Sequence, residues 1–499
     1  MKLQIKNFGP IEEGEIDLSK KIYIFVGYNN TGKTYLSQLM YAILGQDYET
    51  ELSKSISFEE LGIEIIDNKI ELSQSIIDKF CEKLSIFLVE KIIPDTFNIS
   101  KNHHLIKDAN FKFLPPSLEE IKEIETIHSI GFAEIIEKKD SNFSNIELWH
   151  GVTEKEKGKN YIDIDKDFFN NLDNIYVYSS KGGNDIKTNV NTKNYWLSSL
   201  LLGVFWGEAT RNMFLSASRI FYPIFYQYIF KVEKEKREIM SKHFSRLIEN
   251  IEKNETNKED ILGLLKAEQK AQKSRYTKPT NELIDKFYDL HKNDEQNSIY
   301  KKQVEALEQL FGGKITMEDV GSIANKEFGI ALENEKELDM YLASSSTNQL
   351  TALHLYFKYW AAEKHNFLVI DEAEENLHPK YQLEVFKILL EFASMNENKL
   401  LLVTHTPLIV ESLNNYLMLG TLKKVASDET YQKTLQDLKL LDIPLTAKEV
   451  GIYFFSGSEI REYEIGEYGT VFKDFDREIY KVKNASETLS STIFKSKKK

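Results

Sequence analysis

One cysteine, Cys81, is the only thiol in 499 residues. A single thiol excludes a disulfide framework and a thiolate metal cluster, and it suits a reducing cytosol. Long apolar runs are also scarce. The longest, Tyr195–Trp206 (YWLSSLLLGVFW), falls well short of the roughly 20 residues that a membrane-spanning helix needs. It reads as a buried helix. The opening MKLQIKNFGPIEEGEIDL alternates apolar and polar residues and lacks the basic-then-apolar layout of a secretory signal. The expectation is a soluble, cytoplasmic protein with no membrane partner. Positive charge is in deficit, since 64 Lys and Arg face 78 Asp and Glu, for a formal charge of −14. That balance argues against a protein that coats nucleic acid, although one local basic groove stays compatible with it. There is no internal repeat and no low-complexity block.

What is present is enough to bury a sizeable core: 41% hydrophobic and 12% aromatic residues. The length suits a large core domain carrying insertions. Three β-like segments open the chain, Lys2–Lys6, Glu13–Leu18 and Ile22–Val26. The third is a continuous apolar run of the kind found in strands buried on both faces. A helical pattern follows, with Leu36, Leu39, Met40 and Ile43 on one face. Residues 46–194 turn polar, with a helical stretch at Ile70–Ile93 and β-like patches at Ile146–His150 and Ile175–Ser179. Met213–Leu215 is a short apolar strand leading into SASR. Tyr226–Arg275 is dense in Lys, Glu and Arg, a long exposed helix or helical hairpin whose alternatives are a solvated arm or a coiled-coil surface. Beyond Gly312 come β-like Lys314–Met317 and Glu327–Ala331, then a helix at Gln349–Ala362. Buried strands at Phe367–Ile370 and Lys399–Val403 alternate with helices at Lys380–Phe392 and from Leu408. Strands alternating with helices predict a parallel α/β sheet. Val450–Phe455 and Glu459–Ile465 read as a terminal β-hairpin, and the closing KSKKK as a frayed tail.

Four pieces carry chemistry. Gly27-x-x-x-x-Gly32-Lys33-Thr34 is a P-loop pattern between an apolar strand and a helix. Its glycines, with Asn29, Asn30 and Thr31, let consecutive backbone N–H groups point at phosphate oxygens at the positive end of the helix. Lys33 would reach the β- and γ-phosphates of ATP, and the Thr34 hydroxyl would bind Mg²⁺. In Phe367-Leu-Val-Ile-Asp371-Glu372, two carboxylates emerge at the C-terminal end of a buried strand, where open α/β sheets place ligands. Asp371 would hold Mg²⁺ and Glu372 would polarise the attacking water; a helix-capping pair is the alternative. Lys399-Leu-Leu-Leu-Val-Thr404-His405 ends a further strand in a histidine that could donate to the γ-phosphate, or be structural. Ser344 and Ser345, in LASSSTNQL, precede a helix and suit either an anion site or an N-cap.

In this order the four pieces resemble the ABC-type ATPases of the SMC/RecF/OLD group, with Walker A GYNNTGKT, signature ASSSTNQL, Walker B FLVIDE and H-loop THT. More narrowly, NNTGKT, SASR, SSSTNQL, VIDEAEENLHP and VTHTPLIVESLN look like the bacterial AAA family ATPases related to OLD proteins. The match covers the first 45 residues and roughly Phe214–Asn415. The resemblance implies an ATPase head in which two protomers sandwich ATP, each P-loop facing Ser344 and Ser345 of the other copy. It also implies a homodimer or higher homo-oligomer and, from members that serve in phage defence, a separate effector protein. The corresponding division is 1–45 with 195–225 as the first lobe and 46–194 as a mixed insertion. A helical arm at 226–312, a second lobe at 313–465 and a C-terminal tail at 466–499 complete it. Two departures stand out: Ser346 replaces the glycine usual in the signature, and Thr406 the serine common in the H-loop. Glu375, His378 and Pro379 match the segment expected at a dimer interface. Gln227 is the candidate for a Q-loop glutamine and is left outside the site. Arg219 suits a phosphate contact or an ion pair.

Three other function classes fit less well. A DNA-repair clamp of RecF/SMC type needs a basic surface, and the Lys and Arg of 231–246 are interleaved with Glu. An OLD-type nuclease needs Asp-x-Asp at a strand end, and Asp474-Phe-Asp476 follows no clear buried strand. A transporter subunit does not suit the large insert between Walker A and the signature.

Overall fold

The computed structural model describes residues 1–45, 48–66, 69–117, 210–226, 276–290, 299–319, 326–332 and 336–497, with residue 228 and short pieces between 127 and 203. Strands β1 (Lys2–Phe8), β2 (Ile11–Asp17) and β3 (Ile22–Gly27) lead into α1 (Lys33–Leu44). Then come α2 (Gln74–Phe87), β4 (Asn110–Leu114), β5 (Arg211–Leu215), α3 (Lys301–Phe311) and α4 (Ser345–Leu355). They are followed by β6 (Asn366–Asp371), α5 (Pro379–Ser394), β7 (Lys399–Val403) and α6 (Pro407–Val425). The last elements are β8 (Val450–Phe455), β9 (Ile460–Glu462) and α7 (Lys473–Lys497).

Six strands form the central sheet in the order β5-β6-β7-β3-β8-β9. The first five are parallel and β9 returns antiparallel to β8. Every residue of β3, β6 and β8 is buried, because alternate side chains enter two separate cores. Tyr23, Phe25, Phe367, Val369, Leu401 and Val403 pack with Leu36 and Leu39 of α1 and Phe80 of α2 on one face. Ile22, Ile24, Leu368, Ile370, Leu400 and Leu402 pack with Leu350 of α4, Phe386 of α5 and Leu413 of α6 on the other. At roughly 1.5–3 kcal/mol for each large side chain buried, the two cores fix the strand ends on which the candidate site stands.

A second, antiparallel sheet runs β2-β1-β4. It leans on the edge of the first at Gly14, where a Cβ would come within 2.6 Å of Ile460. Its third strand, Asn110–Leu114, lies inside the stretch assigned above to the insertion. The α2 helix of that stretch also belongs to the first core. The polar look of 46–194 hid the strand, because only alternate residues of β4 are buried. A third antiparallel sheet joins Gly313–Asp319, Lys326–Leu332 and Glu337–Asp339.

The expected helix at Ile70–Ile93 begins at Gln74, after a strand at Lys69–Leu72, and its last turns widen over Leu88–Ile92. The terminal hairpin is real, but its first strand is also an inner strand of the main sheet beside β3. The tail contains the 25-residue helix α7, which holds Asp474 and Asp476 within a helix and not at a strand end. Most of the charged arm read at 226–275, Gln227 included, lies outside the described residues. Among the described residues no helix is long and apolar enough to cross a membrane.

Candidate active site at the carboxyl end of the sheet

Three neighbouring strands, β3, β7 and β6, end together, and each delivers one of the predicted motifs. After β3 the chain must turn sharply under β8. Gly27 does this at φ +136, and a Cβ there would sit 2.2 Å from the Phe455 carbonyl oxygen. No other residue fits that position. Asn30 (φ 60) and Gly32 (φ 91) also take left-handed backbone, and Gly32 opens α1. The loop surrounds the Lys33 ammonium, which donates to the carbonyls of Tyr28 and of Gly27, the latter at 3.2 Å. Thr31 Oγ1 donates to the same Tyr28 carbonyl at 2.8 Å, while Asn29 and Asn30 are exposed. Burial pulls the Lys33 ammonium down to about 8, against the attraction of Asp371 and Glu372.

At the end of β6, Thr34 Oγ1 donates to Asp371 Oδ2 at 2.8 Å. The other oxygen, Asp371 Oδ1, is buried and has no hydrogen-bond partner among the described residues. Burial raises this carboxyl to about 6, although the Thr34 bond opposes the shift. A hydroxyl and an unsatisfied buried carboxylate oxygen, side by side at the loop, form the oxygen donor set that Mg²⁺ takes, with waters and phosphates completing its octahedron. The residues fit that ion.

Glu372 follows at φ 52, an uncommon conformation for a non-glycine residue. Its Oε1 lies 3.3 Å from His405 Nε2, and both side chains are about one-third exposed. The hydrogen bond from His405 holds the Glu372 carboxyl below its ordinary range, more than burial raises it. A cleft of about 670 Å³ opens here, lined by Pro10, residues 29–35, Glu372 and His405.

The structure therefore brings Gly27, Asn29, Asn30, Thr31, Gly32, Lys33, Thr34, Asp371, Glu372 and His405 to one place. Ser344 and Ser345 are not part of that cleft's lining and are exposed. Ser344 caps α4 by accepting from the Thr347 N–H at 3.1 Å, and Ser346 Oγ lies 2.7 Å from Ser344 Oγ. Among the described residues Arg219 forms no ion pair. Its guanidinium is buried and donates to the main-chain carbonyls of Ser216, Gln349, Asp371 and Glu372. His378 caps α5 by accepting from Lys380 N–H, with Pro379 in its first turn, and Glu375 accepts from Gln349 Nε2 at 3.2 Å.

A matching family agrees with this geometry over most of the chain. Residues 1–410 match the family described as the AAA ATPase domain. The chain belongs to that family. It is an ATPase, and this AAA ATPase domain contains every strand end just described. No curated protein matches it at a significant level. Among solved structures, the SMC head domain from Thermotoga maritima aligns at 10% identity and TM-score 0.30, covering 93% of this chain and 98% of that one. The Smc head domain with an extended coiled coil, bound to the C-terminal domain of ScpA and derived from Pyrococcus furiosus, aligns at 12% identity and TM-score 0.30, covering 97% and 98%.

Sequence reasoning passed over Glu374. Its Oε1 accepts from Thr404 Oγ1 at 2.6 Å and from the His405 N–H at 2.8 Å, so it fastens the histidine's backbone to the turn after β6. The signal was the acidic run Glu372-Ala-Glu374-Glu375, in which Ala373 and Glu374 are buried. A buried acid in a turn needs donors, and the Thr-His pair of the next strand supplies them. Tyr35 and Pro10, which line the cleft, left no separate signal.

Proposed function

We propose that this ATPase binds Mg·ATP in the cleft below β3, β6 and β7 and acts as a nucleotide-dependent switch between two copies of the chain. The observation that carries the reading is the Thr34–Asp371 pair with its unpartnered oxygen, beside Lys33 and the Glu372–His405 pair. In this reading the Gly27–Thr34 backbone cradles the phosphates, and Lys33 leaves its own loop carbonyls for the β- and γ-oxygens. Thr34 and Asp371 would hold Mg²⁺, which when bound neutralises phosphate charge. Glu372 orients a water in line with the γ-phosphorus and takes its proton as the new P–O bond forms and the β–γ bridging bond breaks. ADP leaves with the bridging oxygen. His405, fastened by Glu374, donates to the γ-phosphate.

The two-copy element is supported by the exposure of Ser344 and Ser345 and by their absence from the lining of their own cleft. Two hydroxyls at the N-terminus of α4 suit a γ-phosphate presented by a second chain. The resemblance to OLD-related ATPases supports a role in bacterial anti-phage defence, in which a separate effector protein senses whether the pair is closed. The direct test replaces Glu372 by Gln. ATP binding should persist while turnover falls by about 10²–10⁴-fold, because the amide cannot accept the proton. Wild-type turnover in that variant would give Glu372 another job.

A further inference from the structure

Arg219 heads the fully buried side chains of the described residues, at 1% exposure. An arginine is almost never fully buried without a carboxylate or phosphate against it. Here the guanidinium meets four main-chain oxygens. Nε donates to Gln349 O at 3.1 Å, one terminal nitrogen to Ser216 O at 2.9 Å and Asp371 O at 2.6 Å, and the other to Glu372 O at 2.9 Å. Its charge is compensated at longer range by Asp371, Glu375, Glu374 and Glu372, while burial still lowers it to about 10.

The placement follows from the sheet. β5 runs parallel to β6 with Leu215 opposite Ile370, so the 3₁₀ turn Ala217–Ile220 starts where the Asp371–Glu372 peptide leaves its strand. That peptide has no strand partner on the β5 side beyond Leu215 among the described residues. It must also hold Glu372 at φ 52, a left-handed conformation unfavourable for a residue with a Cβ. The arginine fork gives the turned carbonyls donors, and it reaches from them to the helix that follows the exposed serines. Gln349 completes the link, because its side chain donates to Glu375 while its carbonyl accepts from Arg219.

We propose that Arg219 is the positioning residue for Glu372, and that through Gln349 it ties the direction of the Glu372 carboxylate to the seat of the Ser345–Leu355 helix. This rests on the reading of Glu372 as the base. Lysine keeps the charge but has one nitrogen where the guanidinium has three, so it cannot span four carbonyls in one plane. Arg219→Lys should therefore lower kcat by about 100-fold, the cost of misplacing a reacting group by about 1 Å. KM for ATP should stay within about 3-fold, since the loop that binds phosphate is untouched.

A second variant guards against a misfolded first. Gln349→Met keeps the carbonyl and the shape but removes the donor to Glu375. Among the described residues the Gln349 amide oxygen is buried without a partner, so methionine orphans no donor there, and the half-buried Glu375 can take water in place of the lost bond. Its kcat should fall by about 10-fold with KM and melting temperature unchanged.

Steady-state kinetics and thermal melts of both variants, beside Glu372→Gln, decide the matter. Wild-type kcat in a folded Arg219→Lys protein overturns the proposal, as does a loss confined to KM or to the melting temperature. If Arg219→Lys does not fold, wild-type kcat in Gln349→Met overturns it alone. If Glu372→Gln itself keeps turnover, the reading of the base fails, whatever the two other variants do.

Discussion

Lys33 folds its ammonium back onto the carbonyls of Gly27 and Tyr28, the loop it belongs to. In the proposed site those contacts hold the place of phosphate, and they give a buried cation the acceptors it needs. Replacing Lys33 by Ala should weaken ATP binding by about 100-fold, the scale of one lost charge-assisted contact of roughly 2–3 kcal/mol. Calorimetric titration with Mg·ATP checks this, and an unchanged Kd would remove Lys33 from the phosphate site. At this scale the sequence was readable wherever a residue's role depends on its type and spacing. Gly27 needs glycine for a contact that the P-loop pattern already announced. Arg219 and Glu374 were less readable, because a donor to carbonyls and an acceptor from a loop N–H have no fixed spacing. Their partners, Gln349 and His405, lie far along the chain.

Among the elements, β3, β6, β7 and β8 were legible as apolar runs, and their burial on both faces gives the reason. The order of the strands was not, since alternate side chains fit either neighbour equally well. β4 and α2 were missed as parts of the core because their sequence is half polar. The junction between α3 and α4 supplies a prediction of its own. His354 of α4 is fully buried and its Nε2 lies 3.3 Å from Glu308 Oε1 of α3, with the Phe311 ring and Lys358 beside it. Burial lowers the histidine below its ordinary value, outweighing the Glu308 bond that raises it, and His354 in turn lowers Glu308. A histidine depressed in the folded state contributes stability that is full above about pH 6.5 and declines as pH falls below it. Glu308 adds a second loss nearer its own ordinary range. His354→Gln should therefore lose less melting temperature than the wild-type chain between neutral pH and about pH 5.5. Parallel curves for the two proteins would show that the buried histidine does not titrate against folding.

At the scale of the whole molecule, two sets of predicted site residues are told apart by the cleft: one lines it and the other does not. Lys33, Thr34, Glu372 and His405 line the cleft, while Ser344 and Ser345 are exposed, close in sequence to the exposed Tyr341 and Leu342, and are not part of that lining. Within one chain Ser344 caps α4. In the proposed closed pair the two serines would complete the partner's site, and Ser346, bonded to Ser344, would set how close they approach. The measurement that tests this most directly mixes two inactive proteins, Lys33→Ala and Ser345→Arg, and follows phosphate release. A mixed pair contains one site with both defects and one with neither. The account predicts ATP hydrolysis in the mixture above that of either protein alone, scaled by what a wild-type/Lys33→Ala mixture retains. Full activity of Ser345→Arg by itself, or no gain in a mixture whose wild-type/Lys33→Ala control still hydrolyses ATP, would contradict the shared site and leave the serines as a helix cap.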